Sequence, residues 1–119
     1  MTDLQQVRKG STPLLILGIL SQGPLHGYAI MRELEKRSEG YFNMTAALLY
    51  PTLHQMERDG LIQGKWVESK GTRRRKVYEV TQAGLDRLAA GQADWSRFAE
   101  QLFKLLGRVT LSPGKANEH

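Results

Sequence analysis

The stretch Asn43 to Gly60, NMTAALLYPTLHQMERDG, reads as a helix with two unlike faces. At about 100° per residue, Leu49, Leu53 and Met56 fall together at spacings of four and three, an apolar stripe that has to be buried. Opposite them stand Ala47, Pro51, His54, Gln55 and Arg58. A surface helix that only keeps a protein soluble usually carries several carboxylates and lysines there, so this small, polar and basic face reads as one made to enter a groove. Asn43 or Thr45 is placed to cap the helix. Pro51 admits two readings. It bends the helix by deleting the bond to the Ala47 carbonyl, at a cost of about 3 kcal/mol, or the regular helix starts at Pro51 with residues 45–50 as a preceding turn.

Upstream, residues 27–37 predict a second helix, with Tyr28, Ile30, Met31 and Leu34 on its apolar side and Arg32, Glu33, Glu35 and Lys36 on its charged side. Gly40 ends it, and residues 41–44 make a short connection, which is the helix-turn-helix arrangement. Before it, residues 14–20 form the longest apolar run of the chain. Ser11 or Thr12 as N-cap, Pro13 at the first helical position and Gly23-Pro24 after the run predict a helix over 14–21. A buried strand competes, since a continuous apolar run has no period. Residues 1–10, ending Arg8-Lys9-Gly10, read as a polar arm leading into that helix.

Downstream of Gly60 the period changes to two. Residues 61–69 and 72–80 are strand-like runs joined by Lys70-Gly71, a β-hairpin, with Tyr78 and Val80 on the face that packs back on the helices. Its tip is basic: Lys70, Arg73, Arg74, Arg75 and Lys76 fall within seven residues with no acid among them. Thr81 caps a long helix over 82–106, weakened only slightly by Gly84 and Gly91. Along it Leu85, Leu88, Gln92, Trp95, Ala99, Leu102 and Leu106 alternate at three and four, with Phe98 and Leu105 alongside, as a heptad-like seam. That is more apolar surface than one small domain covers, so a second copy of the chain is the expected partner. Residues 1–81 thus form a winged helix-turn-helix domain, mainly α with a small β-hairpin wing; 82–109 form a C-terminal dimerisation helix, and 110–119 a loose tail.

At 119 residues the chain supports one modest core. Seventeen Lys and Arg against twelve Asp and Glu give a formal +5, which favours an anionic partner, nucleic acid before a membrane surface. There is no cysteine, which removes disulfides and zinc thiolates and is compatible with the cytoplasm. The longest apolar run is far short of the ~20 residues of a membrane span. It is a poor signal peptide too, with Pro13 opening it, Gly18 interrupting it and no A-x-A pattern after it. His26, His54 and His119 are scattered, no carboxylate pair stands out and no phosphate-binding glycine loop occurs, so catalysis, a metal site and a cofactor are not expected.

Specific residues also resemble the PadR family of bacterial transcriptional regulators. They are Arg8-Lys9-Gly10, Gly23-Pro24-Leu25-His26-Gly27-Tyr28, Leu49-Tyr50-Pro51 with Leu53 and Glu57, Gly60-Leu61-Ile62, Trp66, the run Arg73 to Tyr78, and Thr81 with Ala83-Gly84. The resemblance covers residues 8 to 84 and implies a cytoplasmic homodimer, usually a repressor, on a two-fold related operator. In several members it is released by a small aromatic or hydrophobic compound. It points to the type with a single long C-terminal helix. The chain departs from the pattern at Ala47-Leu48, where many relatives have Gly followed by Ser or Thr, so a hydroxyl contact to phosphate does not carry over to Leu48.

Double-stranded DNA is then the expected partner. Ala47, Leu48 and Pro51 offer apolar contact suited to thymine methyl groups, while His54 and Gln55 offer hydrogen bonds to base or phosphate, which predicts an operator rich in A·T. Thr45 and Arg58 complete the helix's contacts. Tyr50 is read either as a phosphate ligand or as a ring packed on the first two helices. The hairpin cations Lys70, Arg73, Arg74, Arg75 and Lys76 read as phosphate or minor-groove contacts, with Arg8 and Lys9 as further ones. Trp95 is either a core residue of the seam or, as the resemblance suggests, half of a slot for a flat aromatic effector. Trp66 reads as structural and His26 as a helix-start residue. A winged-helix module that docks another protein is the alternative function.

Overall fold

The computed structural model describes residues 4–68, 71 and 74–107, with side chains from residue 10 onward. Among the described residues, four helices and three strands follow in the order α1 (Leu4–Leu20), β1 (Leu25–His26), α2 (Gly27–Arg37), α3 (Ala46–Arg58), β2 (Ile62–Val67), β3 (Arg75–Val80) and α4 (Gln82–Leu106). The core is drawn from every layer except α4: Ile16, Leu17, Ile19 and Leu20 of α1, Ile30 and Leu34 of α2, Leu49, Leu53 and Met56 of α3, Ile62 of β2 and Tyr78 of β3. The apolar run 14–20 is therefore helical. Its lack of periodicity reflects a helix covered on several sides.

Two sequence expectations are corrected, and the open question of where α3 starts is answered. The first helix begins at Leu4, not after a polar arm, and Pro13 lies inside it. A proline's φ is already helical, so it removes one bond to the preceding turn without forcing a start, and residues 4–9 are adequate helix formers. The sheet has three strands in the order β1-β3-β2, not two. The extra strand pairs Leu25 with Tyr78 and His26 with Val77, a tertiary pairing that two residues cannot announce. The helix of α3 runs through Pro51 from an N-cap at Thr45, whose Oγ1 accepts from the Leu48 N–H at 3.3 Å. Of the two starts considered, Thr45 is the one adopted, its hydroxyl adding to the bond that the Leu48 N–H makes with the Thr45 carbonyl at 3.1 Å.

Two joints aim α3 and the wing. At the end of α3, Gly60 takes a φ of +76°, the Gly60 N–H donates to the Glu57 carbonyl and the Leu61 N–H to the Met56 carbonyl at 3.0 Å. This is a Schellman closure, for which glycine is the residue without a Cβ penalty. It turns the chain straight into β2. At the start of α4, the Thr81 hydroxyl accepts from the Gly84 N–H at 3.1 Å and donates to the Gly60 carbonyl at 2.6 Å. A Cβ on Gly84 would lie 2.1 Å from the Leu61 carbonyl oxygen, so only glycine lets α4 seat this closely.

Candidate nucleic-acid interface

Burial divides α3 as its periodicity predicts. Leu49, Leu53 and Met56 are fully enclosed, while Ala47, Leu48, Tyr50, Pro51, His54, Gln55 and Arg58 face solvent, as does Thr45 at the cap. The exposed face is a ridge between two hollows. On one side Leu48, Pro51 and Gln55 look across an apolar hollow of about 790 Å³ to Pro13, Leu14 and Leu17 of α1. On the other, Tyr50 and His54 border a hollow of about 530 Å³ shared with the wing.

Not every exposed polar group on the ridge is free. Gln55 Nε2 donates to Asp59 Oδ1 at 3.0 Å, and Arg58 donates to Gln55 Oε1 at 2.7 Å. Gln55 reaches a base edge only by exchanging these bonds. Tyr50 realises parts of both readings: its ring rests on Gly27, whose Cβ would come within 2.7 Å of the hydroxyl, yet the residue remains 39% exposed.

The hairpin cations do not act as one cluster. Lys70 and Arg73 lie outside the described residues, as do the side chains of Arg8 and Lys9, whose backbone belongs to α1. Arg74 stands over the Trp66 ring, 5.4 Å from its centroid, and Arg75 is exposed with its guanidinium 3.4 Å from His26 Nε2. Lys76 turns inward. Its Nζ donates to Glu57 Oε1 at 3.0 Å and sits over the Tyr78 ring, while Glu57 Oε2 accepts from the Gly64 N–H at 3.2 Å. The Lys76 hydrogen bond holds the Glu57 carboxyl below its ordinary value, and Glu57 raises Lys76 in return. This pair clamps the wing to α3, so Lys76 is a wing anchor before it is a DNA ligand. On the outer strand face, hydrogen bonds from Lys65 and Gln63 lower the Glu79 carboxyl.

Two residues read otherwise in the sequence belong to this surface. Trp66 is 58% exposed and no core residue. It shares the inner strand face with Ile62 and Gly64, but there the sheet has run past the helices and the ring opens into the hollow beside α3. Period two tells which face a residue takes, not where the core ends. His26 does start a helix, with extended backbone, but its side chain makes no cap bond and lines the same hollow.

Along α4, Leu88 packs against the chain's own core and Gly91 meets Leu14 of α1. Leu88 is therefore at least partly engaged by its own domain. Beyond them Trp95 packs edge-on against Phe98, with centroids 5.6 Å apart, and is itself 37% exposed. Phe98 and Ala99 are half-buried, while Leu85, Gln92, Leu102, Leu105 and Leu106 are exposed, Leu105 at 86%. Among the described residues no helix is long and apolar enough to cross a membrane.

Residues 16–90 match the model of the transcriptional regulator PadR-like family. The chain is 31% identical over 81 residues to the transcriptional regulator Rv3488 of Mycobacterium tuberculosis, covering 68% of this chain and 72% of that protein. Among solved structures, a PadR family transcriptional regulator from Eggerthella lenta superposes with a TM-score of 0.74 at 29% identity, over 89% of this chain and 90% of the other. A PadR-like regulator from Bacillus cereus gives 0.72 at 29%, over 87% and 99%.

Proposed function

Since this chain belongs to the PadR-like family of transcriptional regulators, DNA-binding regulators, we propose that it works as a homodimeric repressor on a two-fold related operator. The observation that carries this reading is the ridge of α3. Ala47, Leu48, Pro51 and His54 stand exposed without a carboxylate among them, beside a wing that presents Arg74 and Arg75. Such a helix enters the major groove with its N-terminal half on base edges, while wing cations fix register on phosphates. The exposed leucines of α4 supply the two-fold partner surface, and half-sites then fall about one helical turn, ~34 Å, apart.

Footprinting on the chain's own upstream region tests the proposal. Protection of two symmetric half-sites, with affinity falling steeply as salt rises, is the expected result; equal affinity for every duplex overturns it. The exposed Trp95 ring beside Phe98 supports an aromatic effector site at the dimer seam. Quenching of its fluorescence by a flat aromatic compound, together with release of DNA, is the corresponding outcome.

A further inference from the structure

The hollow between α3 and the wing has a chemistry of its own. His26, Tyr28, Tyr50, His54, Trp66 and Arg75 form its walls, and its described lining holds no carboxylate. Glu57, next to the hollow on α3, is paired with Lys76 of its lining. A solvent-open concavity that combines a guanidinium, two imidazoles and aromatic rings suits a phosphodiester: it offers several donors and no competing anion.

The contact between Arg75 and His26 adds a proton to this picture. A guanidinium has donors only, so at 3.4 Å from His26 Nε2 it can form a hydrogen bond only with an imidazole that keeps its lone pair there. Placing a proton on that nitrogen turns the contact into one between two cations. A phosphate oxygen that displaces this contact reverses the balance, because both groups then donate to one anion. The groups facing His26 are Tyr28 on α2, Tyr50 and His54 on α3, and Arg75, Lys76 and Tyr78 on β3. His54 has Glu57 and Arg58 near it on its own helix and Arg75 and Lys76 across the hollow. An anion entering here meets the positive charge of Arg75 and Lys76 on β3.

We propose that this hollow is a cradle for a backbone phosphate of duplex DNA, and that filling it takes up a proton at His26, with His54 as the second imidazole donor. The inference rests on the DNA-binding reading above. The linkage has a definite sign: the bound state holds more protons than the free one, so affinity rises as pH falls, by up to a decade per pH unit for each proton taken up. Imidazole is the group that changes charge in the window from about pH 8 to about pH 6.

Fluorescence anisotropy of a labelled duplex of arbitrary sequence, followed from about pH 8 to about pH 6 at fixed ionic strength, tests it, since a phosphate cradle needs no operator. Binding by the wild-type chain tightens roughly tenfold across that range. His26→Gln removes most of the gain and His26→Gln/His54→Gln removes all of it, the slope of affinity against pH being the readout whatever the affinity of each variant near pH 8. His26 makes no side-chain cap bond, so these variants keep their folding transition, which far-UV circular dichroism checks. A wild-type profile that is flat, or a double variant that keeps the tenfold gain, overturns the cradle while leaving DNA binding intact. A chain that retains no duplex at any pH overturns both readings.

Discussion

Glu57 is the residue on which the relation between recognition helix and wing turns. Its two carboxylate oxygens reach the Gly64 N–H and Lys76 Nζ, both on the wing, from a side chain on the last turns of α3. Gly64 is small enough for this: a Cβ there would collide with Lys76 Cε at 2.3 Å. Glu57→Gln keeps the shape but loses the ion pair, and unfolding in urea is expected to show a loss of about 1 kcal/mol, limited because both side chains are partly solvated. DNA affinity falls further than stability does, because the wing is then no longer held at one angle. The sign with pH follows from the lowered Glu57 and Glu79 carboxyls. Groups depressed in the folded state stabilise it above their ordinary value of 4.5, and that contribution is lost as pH falls through the folded values. Acid titration of the wild type therefore shows stability declining below about pH 4.5, and Glu57→Gln shows a shallower decline; an unchanged slope removes Glu57 from the account.

At the scale of the element, caps and closures decide where each helix begins and what it faces. Replacing Gly84 by Ala places a methyl against the Leu61 carbonyl and forces α4 away from the α3–β2 joint. A loss of roughly 2 kcal/mol, typical of overpacking, is expected in thermal melting; Thr45→Ala, which removes the α3 cap, costs about 1 kcal/mol. These same elements show what the amino-acid order made legible. Thr45 and Gly60 act through bonds within a few residues of themselves, and Thr81 caps α4 locally while also reaching the Gly60 carbonyl, so the end of α3 and the start of α4 could be read directly, whereas the start of α3 stayed open between Thr45 and Pro51. Leu49, Leu53 and Met56 announced the buried stripe by spacing alone, and the family resemblance followed from residues distributed over the same segments. What was not legible depends on distant partners. β1 exists because Leu25 meets Tyr78, Trp66 is exposed because the sheet outruns the helices, and Lys76 turns inward because Glu57 lies across from it. Five hairpin cations in sequence predicted one phosphate surface, whereas the three described ones have three different neighbours.

The whole molecule is a recognition unit with a lever. α4 is anchored at its first turns by Thr81, Gly84 and Leu88, leans on α1 at Gly91, and then carries Trp95, Leu102, Leu105 and Leu106 outward with their side chains substantially exposed. A helix with an apolar face of this kind gains stability by burying it, and contributions of about 25 cal/mol per Å² make a two-fold seam the economical arrangement. In the proposed dimer, α4 is tied to the end of α3 through the Thr81–Gly60 bond, so pairing two chains would also set the distance between two recognition ridges. Leu102→Asp with Leu106→Asp places charges in the seam without touching the core or the α3 ridge. Light scattering is expected to show a monomer whose helical circular dichroism is reduced only along α4. Operator affinity should fall by two or more orders of magnitude, because two linked half-site contacts become one. Binding to a single half-site should change little. A variant that stays dimeric places the two-fold contact elsewhere on the chain, and a monomer that holds the full operator as tightly as wild type breaks the proposed link between pairing and recognition.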